Sequence, residues 1–266
     1  MQSIASNGIT IYFEAQDSPT AELIRPTVAQ TARILQDRYG VEQPARCRVY
    51  VMRSWQRMFF HAAPFHMKIY FALTYPYLLP RANRIWSIAG GWAFPMGRRR
   101  ITGVKPAALI QTTQSSIGSK VFLPEPDVAE KIRQITSHEL THAFTAKARR
   151  HMWLYEGIAM RAVDHVTGAE TVQRDTLDAL SSRIRDVTAG RNRRVDLSNP
   201  DELIYVYARG YWLTRYLEDT NPGLLRDLLQ NGHTRRELER ELAGDLGIDP
   251  EAFWPRINTI VLEHFG

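Results

Sequence analysis

Ser137-His138-Glu139-Leu140-Thr141-His142 contains two histidines four residues apart, with a glutamate directly after the first. On an α-helix, residues i and i+4 lie on one face, so the imidazoles of His138 and His142 can reach one metal ion. A helical His-Glu-x-x-His pattern is typical of zinc sites in which the glutamate acts as a general base. The stretch therefore predicts two zinc ligands and a base, Glu139.

A third ligand is predicted from a second motif further along the chain. Trp153-Leu154-Tyr155-Glu156-Gly157-Ile158-Ala159 begins 11 residues after His142 and is expected to start another helix. Glu156 is an oxygen donor that can fold back onto the two histidines, and three protein ligands leave one coordination position for water. We therefore expect one Zn²⁺ per chain. The alternative for Glu156 is an ordinary acid that complements the dipole of its helix.

The apolar pattern predicts an α+β fold that is mainly helical in its second half. Strands are expected at residues 8–15 and 46–52, on either side of a helix at 19–39. Two further strands are expected at 107–112 and 120–123, separated by a polar turn at 114–119. One of these two is expected to border the site, where an edge strand can pair with an extended peptide.

The motif helix and the helices after it complete the predicted order of elements. Helices are expected at residues 127–147, 153–166, 169–189, 199–219, 224–230, 234–246 and 250–264, with a basic loop at 191–194. We interpret the chain as one catalytic domain made of two subdomains. Residues 1–150 form a mixed sheet with helices, including the motif helix, and residues 151–266 form a helical subdomain. An active-site cleft is expected between the two subdomains.

Composition describes a globular protein with an uneven distribution of charge. Of 266 residues, 44% are hydrophobic and 23% are charged, and Cys47 is the single cysteine, so no internal disulfide can form. Residues 1–126 contain 15 Lys or Arg and 6 Asp or Glu, whereas residues 127–266 contain 19 and 22. A basic first half can favour an acidic partner. Because no nucleic-acid-binding motif accompanies the charge, we expect a solvated surface and no nucleic-acid partner.

Residues 55–96 mix aromatic residues with prolines and glycines and show no sustained period. The aromatic residues of this segment are Phe59, Phe60, Phe65, Tyr70, Phe71, Tyr75, Tyr77, Trp86, Trp92 and Phe94. They can pack a long insertion onto the core, which we favour, or they can line a substrate cleft or touch a membrane surface. Peripheral membrane contact through residues 59–96 therefore stays an open alternative.

Neither a secretory signal nor a transmembrane helix is predicted. Residues 1–10 contain no basic region followed by an apolar one. The most apolar region, residues 69–94, is interrupted by Pro76, Pro80, Arg81 and Arg84, so it lacks about 20 uninterrupted apolar residues. We expect a cytoplasmic location by default, and whether an export signal has been removed stays open.

The combination of motifs resembles a known group of zinc peptidases. His138-Glu-Leu-Thr-His142, Trp153-Leu-x-Glu156-Gly157-x-Ala159 and Tyr207-Ala-Arg-Gly-Tyr211 look like the peptidase-MA-like gluzincins. The C-terminal half is also similar to the plant basic secretory protein family, through Gly210-Tyr211, Arg215-Tyr216-Leu217 and Pro222-Gly223. The resemblance covers residues 120–230 well and the first 100 residues in outline. The long aromatic insertion and the missing signal depart from the plant family, so localisation and substrate do not transfer.

The resemblance implies a zincin-like fold and a role for each matching residue. In gluzincins, the two histidines and the glutamate of the Glu-Gly motif bind zinc, and the glutamate of the first motif is the base. A downstream tyrosine or histidine can stabilise the oxyanion, and the matching candidates are Tyr207 and Tyr211. They are spaced i and i+4, so either hydroxyl could donate to a developing negative charge. The alternative is that both are packed aromatics.

The predicted function is that of a zinc-dependent metallopeptidase, a hydrolase that acts on a peptide or protein. Water activated by zinc and assisted by Glu139 would attack the peptide carbonyl. One rival is a catalytically degenerate zincin that serves as a binding or scaffold protein, but such a protein has no use for an intact Glu139. Another is a basic peripheral membrane or nucleic-acid-binding protein whose His-Glu-x-x-His is accidental. Cleavage specificity, internal or terminal cleavage, and oligomeric state stay open.

Overall fold

The computed structural model describes residues 1–96, 99–110, 118–188, 199–231, 234–249 and 252–266. The chain divides into two compact units, each built from three stretches. The first contains Met1–Gln36, Glu42–Ser115 and Glu125–Phe144, and the second contains Asp37–Val41, Ser116–Pro124 and Thr145–Gly266. Helices and one five-stranded sheet make up the fold, which agrees with the predicted mixture of α and β structure.

The sheet of the first unit has mixed strand directions. Its strands are β1 (Gln2–Ser6), β2 (Ile9–Phe13), β3 (Cys47–Val51), β4 (Gly91–Met96) and β5 (Arg99–Val104), and their order is β1-β2-β3-β5-β4. Strands β2, β3 and β5 run parallel, whereas β1 and β4 run antiparallel to their neighbours. β4 is therefore an edge strand, and its direction is opposite to that of β5.

The strand predictions are confirmed at the start of the chain and are wrong further on. β2 and β3 confirm the strands expected at 8–15 and 46–52, and Cys47 is buried in β3, where burial raises its thiol pKa to about 12. Ala107–Leu109 is a 3₁₀ helix instead of a strand, and Gly118–Val121 is a short helix, α4. Short apolar runs do not distinguish strand from helix by period alone. Residues 111–117, which include most of the predicted turn, lie outside the described residues.

Four longer helices accompany the sheet in sequence: α1 (Ser18–Tyr39), α2 (Trp55–Ala62), α3 (Phe65–Ile88) and α5 (Val128–Phe144). α1 ends at Gly40, whose φ of +63° is the left-handed conformation that stops a helix. α3 continues through both of its prolines. Among the helices described, none combines the length and the hydropathy that a membrane-spanning segment requires.

Part of the aromatic segment packs into the core of the first unit, as favoured above. Phe71 is buried, with its ring centroid 4.3 Å from that of Phe59 and 5.4 Å from that of Trp55. Phe59, Trp92 and Phe94 pack against the buried cluster Tyr50, Met52, Met58, Ala62, Ala63, Met96 and Ile101. Tyr75 and Trp86 are half-buried, whereas the remaining aromatic residues of the segment are exposed, namely Phe60, Phe65, Tyr70 and Tyr77.

The second unit is helical, as predicted. Its helices after α4 are α6 (Met152–Thr167), α7 (Leu177–Thr188), α8 (Pro200–Thr220), α9 (Pro222–Gln230), α10 (Arg235–Asp245) and α11 (Phe253–Phe265). The helix predicted at 169–189 begins later, at Leu177, because Val172 instead forms a β-bridge with Phe122. Asn199 caps α8, and Thr234 with Glu237 forms a capping box on α10. The predicted basic loop at 191–194 lies outside the described residues.

Candidate metal centre

The helix that carries the His-Glu-x-x-His motif is α5. Its first turn is held by the Asp127 carboxylate, which accepts a hydrogen bond of 2.8 Å from the Ala129 N–H. α5 packs against β4 and β5, and its last turns are buried. The Thr102 hydroxyl of β5 donates to the Glu139 carbonyl at 3.5 Å. Rigid strands therefore support the turn on which the predicted base lies.

β4 passes close to the predicted base because it begins with a glycine. A Cβ atom at Gly91 would lie 2.7 Å from Cγ of Glu139 and 2.9 Å from the carbonyl oxygen of Gly103. Such distances are too short for any side chain, so the approach of the strand to Glu139 requires glycine at this position. The edge strand nearest to Glu139 is thus β4, and not one of the two strands predicted for that place.

The two histidines of the motif face each other on α5. Nε2 of His138 lies 3.0 Å from Nε2 of His142, and the ring planes are nearly perpendicular, at 84°. His142 is buried and His138 is half-buried. The i, i+4 spacing therefore gives the common face that the sequence predicts.

Glu156 lies in α6 with 7% of its surface exposed. His138, His142 and Glu156 each offer one ligand atom, and these atoms lie within 4.8 Å of one another. The structure thus brings together the three residues predicted as ligands.

The three donors fit a zinc ion in kind and in spacing. Two imidazole nitrogens and a carboxylate oxygen form a ligand set found in catalytic zinc sites, whereas Ca²⁺ and Mg²⁺ prefer oxygen ligands alone. Two nitrogens bound to one tetrahedral zinc are about 3.3 Å apart. The separation of 3.0 Å between the two Nε2 atoms is close to that value.

The position of Glu156 in the second unit is fixed by the glycine that follows it. A Cβ at Gly157 would lie 2.1 Å from the carbonyl oxygen of Gly210 and 2.2 Å from the Thr214 hydroxyl oxygen. A Cβ at Gly210 would lie 2.5 Å from the carbonyl oxygen of Trp153. The two glycines therefore let the backbones of α6 and α8 touch. Glu156, a predicted ligand, is thus directly followed by a residue that packs α6 against α8.

Replacing Gly157 with alanine is expected to lower the free energy of unfolding by about 2–3 kcal/mol, because the added methyl meets backbone that cannot move aside. Urea denaturation followed by circular dichroism measures the loss. Gly244→Ala is the matched control, since no atom lies within 4 Å of a Cβ at Gly244 in α10. The control is expected to be neutral or stabilising by up to about 1 kcal/mol. Equal losses in the two variants would contradict the contact between α6 and α8.

Tyr211, one of the two predicted oxyanion donors, is fully buried and bonded within the second unit. Its hydroxyl donates to the Asp164 carboxylate at 2.7 Å, and Arg161 contacts both Asp164, at 2.7 Å, and Glu218, at 2.5 Å. His165 lies 3.1 Å from Glu218, which also accepts a hydrogen bond from Tyr39. These six residues, which we call the Arg161 network, connect α6, α8 and the last turn of α1.

Burial and charge shift the pKa values of the Arg161 network in different directions. Burial raises the pKa of the Tyr211 phenol, and the Asp164 charge raises it further. Burial also raises the pKa of Asp164, although hydrogen bonds from Thr171 and Tyr211 and the Arg161 charge oppose this shift. For Glu218, burial is outweighed by the His165 hydrogen bond and the Arg161 charge, so its pKa falls below the ordinary value. Tyr211 therefore stays a protonated donor to Asp164.

Tyr207 differs from Tyr211 in its exposure. It is half-buried on α8, and its ring packs edge-on against Phe122, with the centroids 6.3 Å apart. Arg209, two residues later, has its guanidinium 4.0 Å from the ring centroid of Trp254 and 4.9 Å from that of Tyr205. Of the two predicted donors, Tyr207 is therefore the one whose side chain is partly accessible.

Sequence reasoning singled out Tyr211 but missed its bonding to Arg161 and Asp164, and it also missed Gly91. Arg161 and Asp164 are spaced i and i+3 on an otherwise apolar helix, and this spacing is a signal for a buried ion pair. Gly91 lies in Gly90-Gly91, in the aromatic segment where no period could be assigned. A pair of glycines before a short apolar run is consistent with a strand that approaches another element closely.

Neither the known protein families nor the curated proteins contain a match to this sequence. The resemblance to gluzincins therefore stays a prediction carried by the motifs.

Proposed function

We propose that this chain is a zinc-dependent metallopeptidase of the gluzincin type, with a zincin-like fold. The observation that carries the proposal is the grouping of ligand atoms from His138, His142 and Glu156 within 4.8 Å, with Glu139 adjacent in sequence to the first of them. Two nitrogens and one oxygen make up a catalytic ligand set that leaves a position for water.

Each residue of the site has a separate task in this proposal. Zinc, when bound, would lower the pKa of its bound water to about 7 and polarise a carbonyl oxygen. Glu139 accepts the proton of the attacking water and then transfers it to the leaving amine. The backbone carbonyl of Glu139 accepts a hydrogen bond from Thr102, and its Cγ lies beside Gly91. These two contacts restrict where its carboxylate can lie.

The Tyr207 hydroxyl is proposed to donate to the negative charge that develops on the carbonyl oxygen. A hydrogen-bond donor aimed at that oxygen stabilises the transition state more than the ground state. Tyr207 is half-buried, whereas Tyr211 is fully buried and its hydroxyl donates to Asp164. We therefore assign Tyr211 to holding α8 against α6 and retain Tyr207 as the oxyanion donor.

A peptide is the proposed substrate because an edge strand lies beside the proposed base. β4 is the last strand in the sheet order, and Gly91 at its start lies against Glu139. The outer N–H and C=O groups of an edge strand can pair with an extended peptide and hold its backbone. Such pairing would bring a peptide carbonyl alongside the base without requiring a particular side chain.

Metal analysis tests the ligand set directly. Purified wild type is expected to contain about one zinc per chain, and His138→Ala is expected to lose most of it, because two protein ligands hold the ion less tightly than three. Inductively coupled plasma mass spectrometry after dialysis measures the zinc content. His61→Ala, at an exposed histidine of α2, is the matched control and should keep the wild-type content.

A combined outcome separates the proposal from its rivals. Wild type with much less than one zinc per chain, unaffected by His138→Ala, would mean that the motif is accidental. Bound zinc without cleavage of a diverse peptide library would indicate a degenerate zincin that acts as a binding protein. Zinc together with cleavage that a chelator stops is the result expected for a metallopeptidase.

A further inference from the structure

One face of α3 exposes large apolar side chains. Phe65, Ile69, Leu73 and Tyr77 follow one another at intervals of four residues, and Tyr70 lies beside them. Their exposed fractions run from 50% for Ile69 to 86% for Tyr77. Residues spaced i, i+4, i+8 and i+12 form one continuous row along a helix. We call these five residues the α3 stripe.

The α3 stripe is not the face by which the helix joins the protein. The opposite face carries Phe71, which is buried against Phe59 and Trp55, and Met67, which packs against the core of the first unit. The Trp55 indole N–H donates to the Asn83 side chain at 2.8 Å. α3 is thus held in place by one apolar face while it exposes another, and exposed apolar rows of this kind mark interaction sites.

The stretch of sequence that contains the α3 stripe has basic residues and no acidic ones. Residues 43–124 contain twelve Lys or Arg and no Asp or Glu. Lys68 lies within α3, and Arg46 is exposed in the same unit. Arg53 and Arg57 pair with Asp17 and Glu14 from outside this stretch. The stretch itself contributes positive charge alone, which complements a surface of many negative charges.

We propose that the α3 stripe docks this protein onto the surface of an anionic phospholipid bilayer. Helices that lie in a membrane interface combine aromatic and aliphatic residues on one face with basic residues around them. Phe65, Ile69 and Leu73 enter the boundary between head groups and acyl chains. The phenols of Tyr70 and Tyr77 lie at the head-group level, where their hydroxyls stay hydrated.

A bilayer fits these features better than a protein partner does. A protein groove would match the apolar row, but it would not need a long run of sequence free of acidic residues. A surface of anionic head groups attracts every basic residue within about a Debye length of it, whatever the exact position. The α3 stripe and the acid-free stretch of sequence that contains it are therefore explained together by one ligand.

Vesicle flotation of the protein tests the proposal. The probes are vesicles of phosphatidylcholine with one-quarter phosphatidylserine, and vesicles of phosphatidylcholine alone. Wild type is expected to partition at least tenfold more strongly onto the anionic vesicles. Leu73→Glu is expected to reduce that partitioning at least tenfold, because it replaces an inserted apolar side chain with a charged one.

Leu109→Glu is the matched control, since it makes the same change in the same acid-free region at a residue outside the α3 stripe that is 38% exposed. Its partitioning is expected to stay within about twofold of wild type. Leu73 is 75% exposed and Leu109 is 38% exposed, so neither substitution places a charge in the core, and both variants should keep the wild-type thermal midpoint. Tyr77→Glu, at a residue 86% exposed, repeats the test at a second position of the stripe.

Three results would overturn the proposal: no flotation of wild type with anionic vesicles, equal flotation with both kinds of vesicle, or equal losses in Leu73→Glu and Leu109→Glu. A fourth would assign the α3 stripe to a second copy of this chain. Wild type would then be a dimer in lipid-free buffer, and Leu73→Glu would be a monomer while Leu109→Glu stayed dimeric. Vesicle binding requires neither zinc nor cleavage, so its failure leaves the proposed peptidase activity untouched.

Discussion

Replacing Glu139 with glutamine is expected to lower peptide cleavage by about 10²–10⁴-fold while zinc stays bound. Glutamine keeps the size of the side chain, but its amide cannot accept a proton at neutral pH. Glu139 is not among the three grouped ligand residues, so the zinc content should remain about one per chain. Digestion of a peptide library by wild type and Glu139→Gln, read by mass spectrometry, measures the loss, with zinc analysis on the same samples.

Glu130→Gln is the matched control for this experiment. Glu130 lies on the same helix and pairs with Arg133 at the surface, with their charged atoms 3.2 Å apart. Cleavage by this variant should stay within about twofold of wild type, because surface ion pairs contribute little. Undiminished cleavage in Glu139→Gln would remove the base from the proposed mechanism. Loss of both zinc and cleavage in this variant would leave the role of Glu139 as a base without support, because the missing metal would itself explain the lost activity.

Replacing Arg161 with methionine is expected to lower the free energy of unfolding by about 3–5 kcal/mol. Its guanidinium contacts Asp164 at 2.7 Å and Glu218 at 2.5 Å, and all three side chains are at most 13% exposed. Methionine roughly fills the volume but leaves two buried carboxylates without their cation. Urea denaturation at neutral pH, followed by circular dichroism, measures the loss.

Arg25→Met provides the comparison at an exposed ion pair. Arg25 and Glu22 are each more than half exposed, with 3.2 Å between their charged atoms. A change of at most about 0.5 kcal/mol is expected there. Arg161→Met with a similarly small change would mean that the Arg161 network contributes little to stability.

The parts of the structure that the sequence predicts well depend on local geometry. His138 and His142 share a helix face because four residues make slightly more than one turn, whatever the rest of the fold does. The ends of α1 and α6 are local as well, because Gly40 and Gly168 follow them in the left-handed conformation that glycine adopts without strain. The helix position of Glu156 was predicted from the motif that begins 11 residues after His142, and Glu156 lies in α6.

The parts that could not be predicted depend on partners distant in sequence. β5 begins with Arg99-Arg100 and contains Gly103, a poor composition for a strand, yet β3 and β4 pair with it on both sides. α3 gives no one-sided period because it is apolar on its packed face and on its exposed face alike. The role of Tyr211 depends on Asp164, 47 residues earlier, and no spacing rule connects them.

The interleaving of the two compact units sets the order in which the chain can complete them during synthesis. Tyr39 belongs to the helical unit, and its hydroxyl bonds to Glu218, 179 residues later. At about 5–20 residues per second, a ribosome supplies that carboxylate roughly 10–35 s after the tyrosine. The first unit, by contrast, has its last helix once Phe144 has emerged. A gene fragment that ends there would therefore contain both histidines and the sheet, but would leave Tyr39 without the residue it bonds.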